Sequence, residues 1–184
     1  MLVNFIGSPC SGKTTIAAGV FAELKNRGVD VDFVTERARE YIARKRYMEG
    51  PDFKLVDSDQ HQIFAEQDNV QRYMANAGNL VVCDSDPLLT LLYLEKMNYF
   101  SWKIEKVVSR MGLLVYCLPL EEYSKEENRI HDREFALSID RKIVPHYKQL
   151  APDVPMLTLS KHLGAQERVL AVMNWLESLG VVKA

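Results

Sequence analysis

Cysteine is scarce: Cys10, Cys83 and Cys117 are the only 3 in 184 residues, and they lie far apart. That spacing fits neither a disulfide framework nor a CxxC metal knuckle, and a reducing compartment is the simpler expectation. Long apolar runs are missing too. None approaches the ~20 residues that span a bilayer, so no membrane association is expected. Met1 to Ile6 runs straight into a glycine-bearing loop, without the charged start and cleavage site of a secretory signal, which points to a cytoplasmic protein. No charge of one sign dominates: 23 Lys plus Arg stand against 25 Asp plus Glu, for a formal charge of -2. Global attraction to nucleic acid or an anionic surface is thereby excluded, and any polyanion site must be local. With 9 glycines, 7 prolines and no repeat or low-complexity tract, collagen-like and disordered classes are excluded as well.

What is present is a globular composition, 47% hydrophobic and 26% charged. At ~150 residues per domain, residues 1–184 are expected to form a single domain. Short runs rich in Val, Leu and Ile recur at Leu2 to Ile6, Val31 to Thr35, Leu80 to Cys83, Leu113 to Leu118 and Met156 to Leu159. Near-continuous hydrophobicity over so few residues suits strands buried on both faces. Between them lie segments of helical period. Thr14 to Lys25 carries Ile16, Ala17, Val20, Phe21 and Leu24 on one stripe. A second helix is expected from Thr35 or Glu36 to about Tyr47. A third, Ser58 to Ala77, has Ile63, Val70, Met74 and Ala77 as its stripe. The last, Ala165 to Leu179, has Val169, Val172, Met173 and Leu176. Alternation of strand and helix predicts an α/β fold, a doubly wound parallel five-stranded sheet with helices on both faces. Ligands of such sheets bind beyond the carboxyl ends of the strands.

Directly after the first run, Gly7-Ser8-Pro9-Cys10-Ser11-Gly12-Lys13-Thr14 satisfies G-x-x-x-x-G-K-[ST] between an expected strand and an expected helix. A random chain of this length would match on the order of 1% of the time. The motif makes the chain a P-loop NTPase. Its glycines allow a tight turn, and successive backbone N–H groups, through Thr15, face phosphate oxygens at a helix N-terminus. Lys13 is expected on the β and γ phosphates and the Thr14 hydroxyl on Mg²⁺. The third run ends in Asp84, a carboxylate placed to complete that metal site with Thr14, with Asp86 two further on as a second candidate; either is also placed to cap a helix beginning near Pro87.

A phosphate loop alone does not separate a kinase from a GTPase, a transport ATPase or a motor. No D-x-x-G follows the Asp84 strand, and N-K-x-D and LSGGQ-like signatures are missing, which leaves a small kinase. A kinase needs an acceptor pocket and positive charge over the transferring group. After the second run, Glu36 and Arg39 are three apart; Glu36 is suited to bind or deprotonate an acceptor hydroxyl and Arg39 to hold a polar or anionic part of it. After the fourth run, a charged segment at about 121–134 suits a short lid, with Arg129 and Arg133 available to close on phosphates. Gln60, His61 and Gln67 fall on the long third helix, which is placed to cover the acceptor pocket. The four histidines show no metal-ligand spacing. Arg44 to Arg46, beside Tyr41 and Tyr47, is either a solvated helix end or a patch for nucleic acid.

The order GSPCSGKTT, TERAREY, DSDQHQIFAEQ, VVCDSD and YCLPLEEYSKEENRIHDREF resembles the NadR-like family of small P-loop kinases and ATPases. That family includes nicotinamide-riboside kinase domains and viral and bacterial members. The resemblance implies that Glu36 and Arg39 line the acceptor site, that Asp84 is the metal-side acid near the acceptor hydroxyl, and that Arg129 and Arg133 match lid arginines. The function expected is an ATP- and Mg²⁺-dependent transfer of the γ-phosphate to a hydroxyl of a nucleoside- or nucleotide-like small molecule. Alternatives are a kinase acting on a hydroxyl-bearing modified base in DNA, as in viral members, where the cytoplasm would be the host's, and an NTPase switch without an acceptor.

Overall fold

The computed structural model describes residues 1–94, 101–120 and 132–183. Five strands, β1 (Leu2–Ile6), β2 (Val31–Val34), β3 (Leu80–Cys83), β4 (Met111–Cys117) and β5 (Met156–Leu159), pair in parallel in the order β2-β3-β1-β4-β5. From β1 the chain crosses to the edge strand β2 and returns to β3, then passes to the other side of β1 for β4 and β5. That reversal places the crevice at the carboxyl end of β1, where the phosphate loop begins.

The described helices are α1 (Lys13–Asn26), α2 (Arg37–Glu49), α3 (Asp57–Asn76), α4 (Pro87–Thr90), α5 (Ser101–Val108), α6 (Arg133–Leu150) and α7 (Ala165–Ser178). Alternation along β1 decides the layers. Val3 and Phe5 face a cluster with Ile16, Val20 and Leu24 of α1 and Val172, Met173 and Leu176 of α7. On the opposite face, Ile6 joins Leu88 of α4, Val107 of α5 and Ile139, Ile143 and Tyr147 of α6. Leu2 joins Val34, Val81 and Cys83, with Val70 and Met74 of α3 packed over them. Each fully buried aliphatic or aromatic side chain here contributes roughly 1.5–3 kcal/mol of transfer free energy.

Several local expectations change. α2 starts at Arg37, and Glu36 is its N-cap residue in extended conformation (φ -67, ψ 115), outside the helix. The inward face of α3 is largely polar: Asp59, Gln60, Gln67 and Gln71 are buried beside Ile63 and Phe64, whereas Ala77 lies beyond the helix and is exposed. α5 and α6 were not expected. α6 opens with the Asp132 carboxylate accepting the Phe135 N–H at 2.8 Å, so Arg133 belongs to its first turn, and the expected lid stops short of it. Residues 121–131 of that lid, with Arg129, lie outside the described residues. Among the described residues no helix is long and apolar enough to cross a membrane.

Candidate active site

The phosphate loop is held by close packing at its first glycine and by left-handed backbone further on. A Cβ on Gly7 would meet the Cys117 carbonyl oxygen and Ser11 Oγ at 2.6 Å each, so no larger residue fits against β4. Gly12, at φ 80, caps α1 in the left-handed region, and Cys10 adopts φ 63 despite its side chain. A non-glycine residue there stores about 1–2 kcal/mol of strain, which the surrounding turn must hold. Lys13 is buried, and its Nζ donates to the Gly7 and Ser8 carbonyl oxygens at 3.0 and 3.2 Å, spanning the loop from α1.

Asp84, at the end of β3, is 2% exposed. Burial pushes its carboxyl up to about 6, with Glu36 adding to the rise, while the Thr14 hydroxyl, Lys13 and Arg39 favour the ionised form. These five side chains therefore act on one another across the crevice. Asp84 Oδ1 and Ser11 Oγ are buried with no hydrogen-bond partner among the described residues. An orphaned carboxylate oxygen beside the Thr14 hydroxyl fits a hard cation such as Mg²⁺, which takes one or two protein oxygens and completes its shell with phosphates and water. Among the described residues there is no group of three or more His, Cys, Asp and Glu side chains suited to hold a metal by itself.

A cavity of about 250 Å³ extends from the loop residues Pro9, Cys10, Ser11, Gly12, Lys13, Thr14 and Thr15 to Glu36, Arg39, Gln60, Gln67, Ser85 and Tyr93. Glu36 and Arg39 both line it and pair with each other, Arg39 Nε to Glu36 Oε2 at 3.3 Å. Gln67 is the more constrained neighbour. Its Oε1 accepts the Arg37 backbone N–H at 3.0 Å, which orients the amide and leaves Nε2 buried without a partner among the described residues. An unsatisfied buried donor costs about 1–3 kcal/mol, and a ligand oxygen or ring nitrogen in the cavity would recover it. Gln71 donates to the Ser85 carbonyl oxygen at 2.8 Å, fixing α3 to the turn after β3.

Asp86 does not join this set. Its Oδ1 accepts the Leu88 N–H at 2.8 Å and the Tyr147 hydroxyl at 2.9 Å, so it caps α4 and ties α6 to it. His146 meets the Leu88 carbonyl oxygen through Nε2 at 2.9 Å, a packing role on the same junction. Arg133 is exposed and is not among the cavity-lining residues. Arg44 pairs with Glu66 at 2.9 Å and Lys45 with Glu49 at 2.7 Å, so part of the basic run is balanced by carboxylates.

A family model described as an AAA domain matches residues 2–162. The chain belongs to that AAA-domain family. No curated protein matches its sequence. Among solved structures, this AAA-domain protein is similar to deoxyadenosine kinase from M. mycoides with dCMP and dCDP bound: 18% identity, TM-score 0.66, covering 97% of this chain and 100% of that one. It is similar to a sugar kinase from Janibacter sp. HTCC2649 at 19% identity and TM-score 0.59, covering 96% and 94%. It is also similar to the APS kinase of Mycobacterium tuberculosis at 17% identity and TM-score 0.50, covering 96% of each chain. These likenesses establish the fold, the doubly wound parallel α/β architecture of P-loop kinases.

Two polar groups of this AAA-domain protein escaped the sequence reading. Asp140 of α6 stands beside the Tyr116 and Ser8 hydroxyls, half-buried, with burial raising its carboxyl and those hydroxyls and Lys13 opposing the rise. Arg168 of α7 is buried against the loop. Neither carries a sequence signal, because both lie within helices whose other charges are solvated.

Proposed function

We propose that the protein is an ATP- and Mg²⁺-dependent phosphotransferase that moves the γ-phosphate to a hydroxyl of a nucleoside- or nucleotide-like small molecule. The observation that carries this reading is the continuity of the cavity. It starts at the phosphate loop and ends at Glu36, Arg39 and the unpartnered amide of Gln67. A switch that only hydrolyses nucleotide has no use for a second polar compartment facing the γ position.

In this reading the loop amides and Lys13 hold the triphosphate, and Thr14 and Asp84 hold the metal. Bound there, Mg²⁺ offsets negative charge on the phosphate oxygens. The acceptor hydroxyl oxygen attacks the γ-phosphorus, the bond from that phosphorus to the bridging β–γ oxygen breaks, and ADP departs. Glu36 takes the hydroxyl proton, and Arg39, paired with it at 3.3 Å, aims it. Catalysis is mostly alignment and charge neutralisation, with Arg129 assigned to the closing lid and Arg133 to the helix start that follows it. Within this reading the kinase is of the NadR-like kind, and the loop after β5, at Ser160 and Lys161, receives the donor base.

Incubation with Mg-ATP and a panel of nucleosides, nucleoside monophosphates, nicotinamide riboside and hydroxyl-modified DNA, followed by mass spectrometry, tests it. The expected result is a gain of roughly 80 daltons, one phosphoryl group, on a small-molecule acceptor together with stoichiometric ADP. A gain on DNA alone would move the acceptor to the polymer. ADP and phosphate with no modified acceptor would make the protein an NTPase without one.

A further inference from the structure

Arg168 is the largest fully buried side chain among the described residues, at 1% exposure. It stands in the second turn of α7 and does not line the cavity. Its Nη1 donates to the Ser11 carbonyl oxygen at 3.0 Å, and a Cβ on Gly12 would lie 3.9 Å from the same nitrogen. The guanidinium is thus pressed against the Ser11–Gly12 peptide. Among the described residues, Nε and Nη2 are buried with no hydrogen-bond partner and no carboxylate forms an ion pair with the group.

A buried cation with two idle donors and no countercharge is costly to the nucleotide-free chain. We propose that Arg168 is a built-in countercharge for the donor polyphosphate, one whose charge is balanced only when nucleotide fills the loop. The proposal rests on reading that loop as the nucleotide site. Two physical effects carry it. In a trans peptide the C=O and N–H point opposite ways, so anchoring the Ser11 carbonyl on α7 turns the Gly12 N–H away from α7. The field of a cation buried in low dielectric is weakly screened, so it reaches phosphates across one layer of backbone. Both cations act on the buried Cys117 thiol at the end of β4: burial pushes it up to about 12, Lys13 and Arg168 pull it the other way, and Asp84 adds to the rise. Arg168 is accordingly a positioning and electrostatic residue, with no contact to the reacting atoms.

This role and that of a structural strut move stability in opposite directions. Arg168→Met removes the charge with similar volume; Arg168→Lys keeps the charge. Melting temperatures of the full chain are measured alone and with Mg-ATP, Mg-ADP or adenosine, and Kd values by calorimetry. Arg168→Met alone should melt at or a few degrees above wild type, because replacing an unbalanced buried ion by an apolar isostere is neutral or stabilising. Its Kd for Mg-ATP should rise roughly 10- to 100-fold, the range for a hydrogen-bonded charge, with a smaller rise for ADP and none for adenosine. Arg168→Lys should recover most of the affinity. An Arg168→Met chain that is unfolded, or that melts lower yet binds Mg-ATP like wild type, overturns the proposal and leaves a strut. Wild type that shows no nucleotide-dependent shift at all overturns this proposal together with the function on which it rests.

Discussion

Asp84 and Asp86 are separated by one residue and differ in what surrounds them, which gives each a distinct pH signature. Burial pushes Asp86 up to about 7, with the Tyr147 hydroxyl and the Leu88 N–H opposing the rise. Its value in the unfolded chain is near 3.8, so between these two pH values the folded state holds the proton more often. Stability therefore falls as pH rises through that window, by on the order of 3 kcal/mol from this group. Asp86→Asn keeps an oxygen for both hydrogen bonds and has no charge to bury. Urea unfolding at pH 5 and pH 8 should show a flatter pH dependence than wild type, and an unchanged slope would count against a buried ionising Asp86. Asp84 carries the same sign but a different readout. Metal and Thr14 favour its ionised form, so kcat/KM should have a rising limb with an apparent pKa near 6. Asp84→Asn should erase that limb along with most of the activity. A profile flat from pH 5 to 7 in wild type would remove Asp84 from the metal site.

At the scale of elements, α3 lines the cavity through Gln60, Ile63 and Gln67, and it is where sequence and structure part. The phosphate loop, Asp84 and the pair Glu36 and Arg39 were legible because each is fixed by a few consecutive residues at a strand end. The face of α3 was legible only in part: Gln60 and Gln67 were placed on a helix over the acceptor pocket and both line the cavity, whereas the burial of Gln71 was not expected. Period alone selects Ile63, Val70 and Met74, yet Gln60, Gln67 and Gln71 are equally buried because Arg37, Ser85 and the cavity give them polar neighbours. Those neighbours come from other segments, and a one-dimensional pattern does not contain them. α6 was missed because Pro145 interrupts its pattern and charge dominates its first turn. Arg168 gave no signal in sequence, since only tertiary packing buries it under Ser11. The orphaned Nε2 of Gln67 makes an element-level prediction. Gln67→Leu removes the donor while α3 stays tied through Gln71. The acceptor KM should rise about tenfold, the equivalent of one hydrogen bond, with the KM for ATP unchanged. Equal rises for both substrates would mean that α3 has shifted as a body.

For the molecule as a whole, function depends on β1 standing where the chain reverses direction across the sheet. That topology brings the loop after β1, Asp84 after β3 and Glu36 after β2 to one crevice, although they are distant in sequence. Apolar packing on both faces sets the scaffold, and two of the buried polar atoms without partners among the described residues, Asp84 Oδ1 and Gln67 Nε2, stand at the crevice. An arrangement of this kind tolerates their cost because a bound nucleotide, metal and acceptor supply the missing partners. The most direct measurement is calorimetric titration of Mg-ATP into wild type and Lys13→Ala, with melting curves of both chains. Wild type should bind with a Kd in the range of roughly 1 μM to 1 mM common for enzyme substrates. Lys13→Ala should fold and melt like wild type but lose that binding and all phosphoryl transfer. Undiminished Mg-ATP affinity in a folded Lys13→Ala chain would contradict the account, because the triphosphate would then lie somewhere other than the loop between β1 and α1.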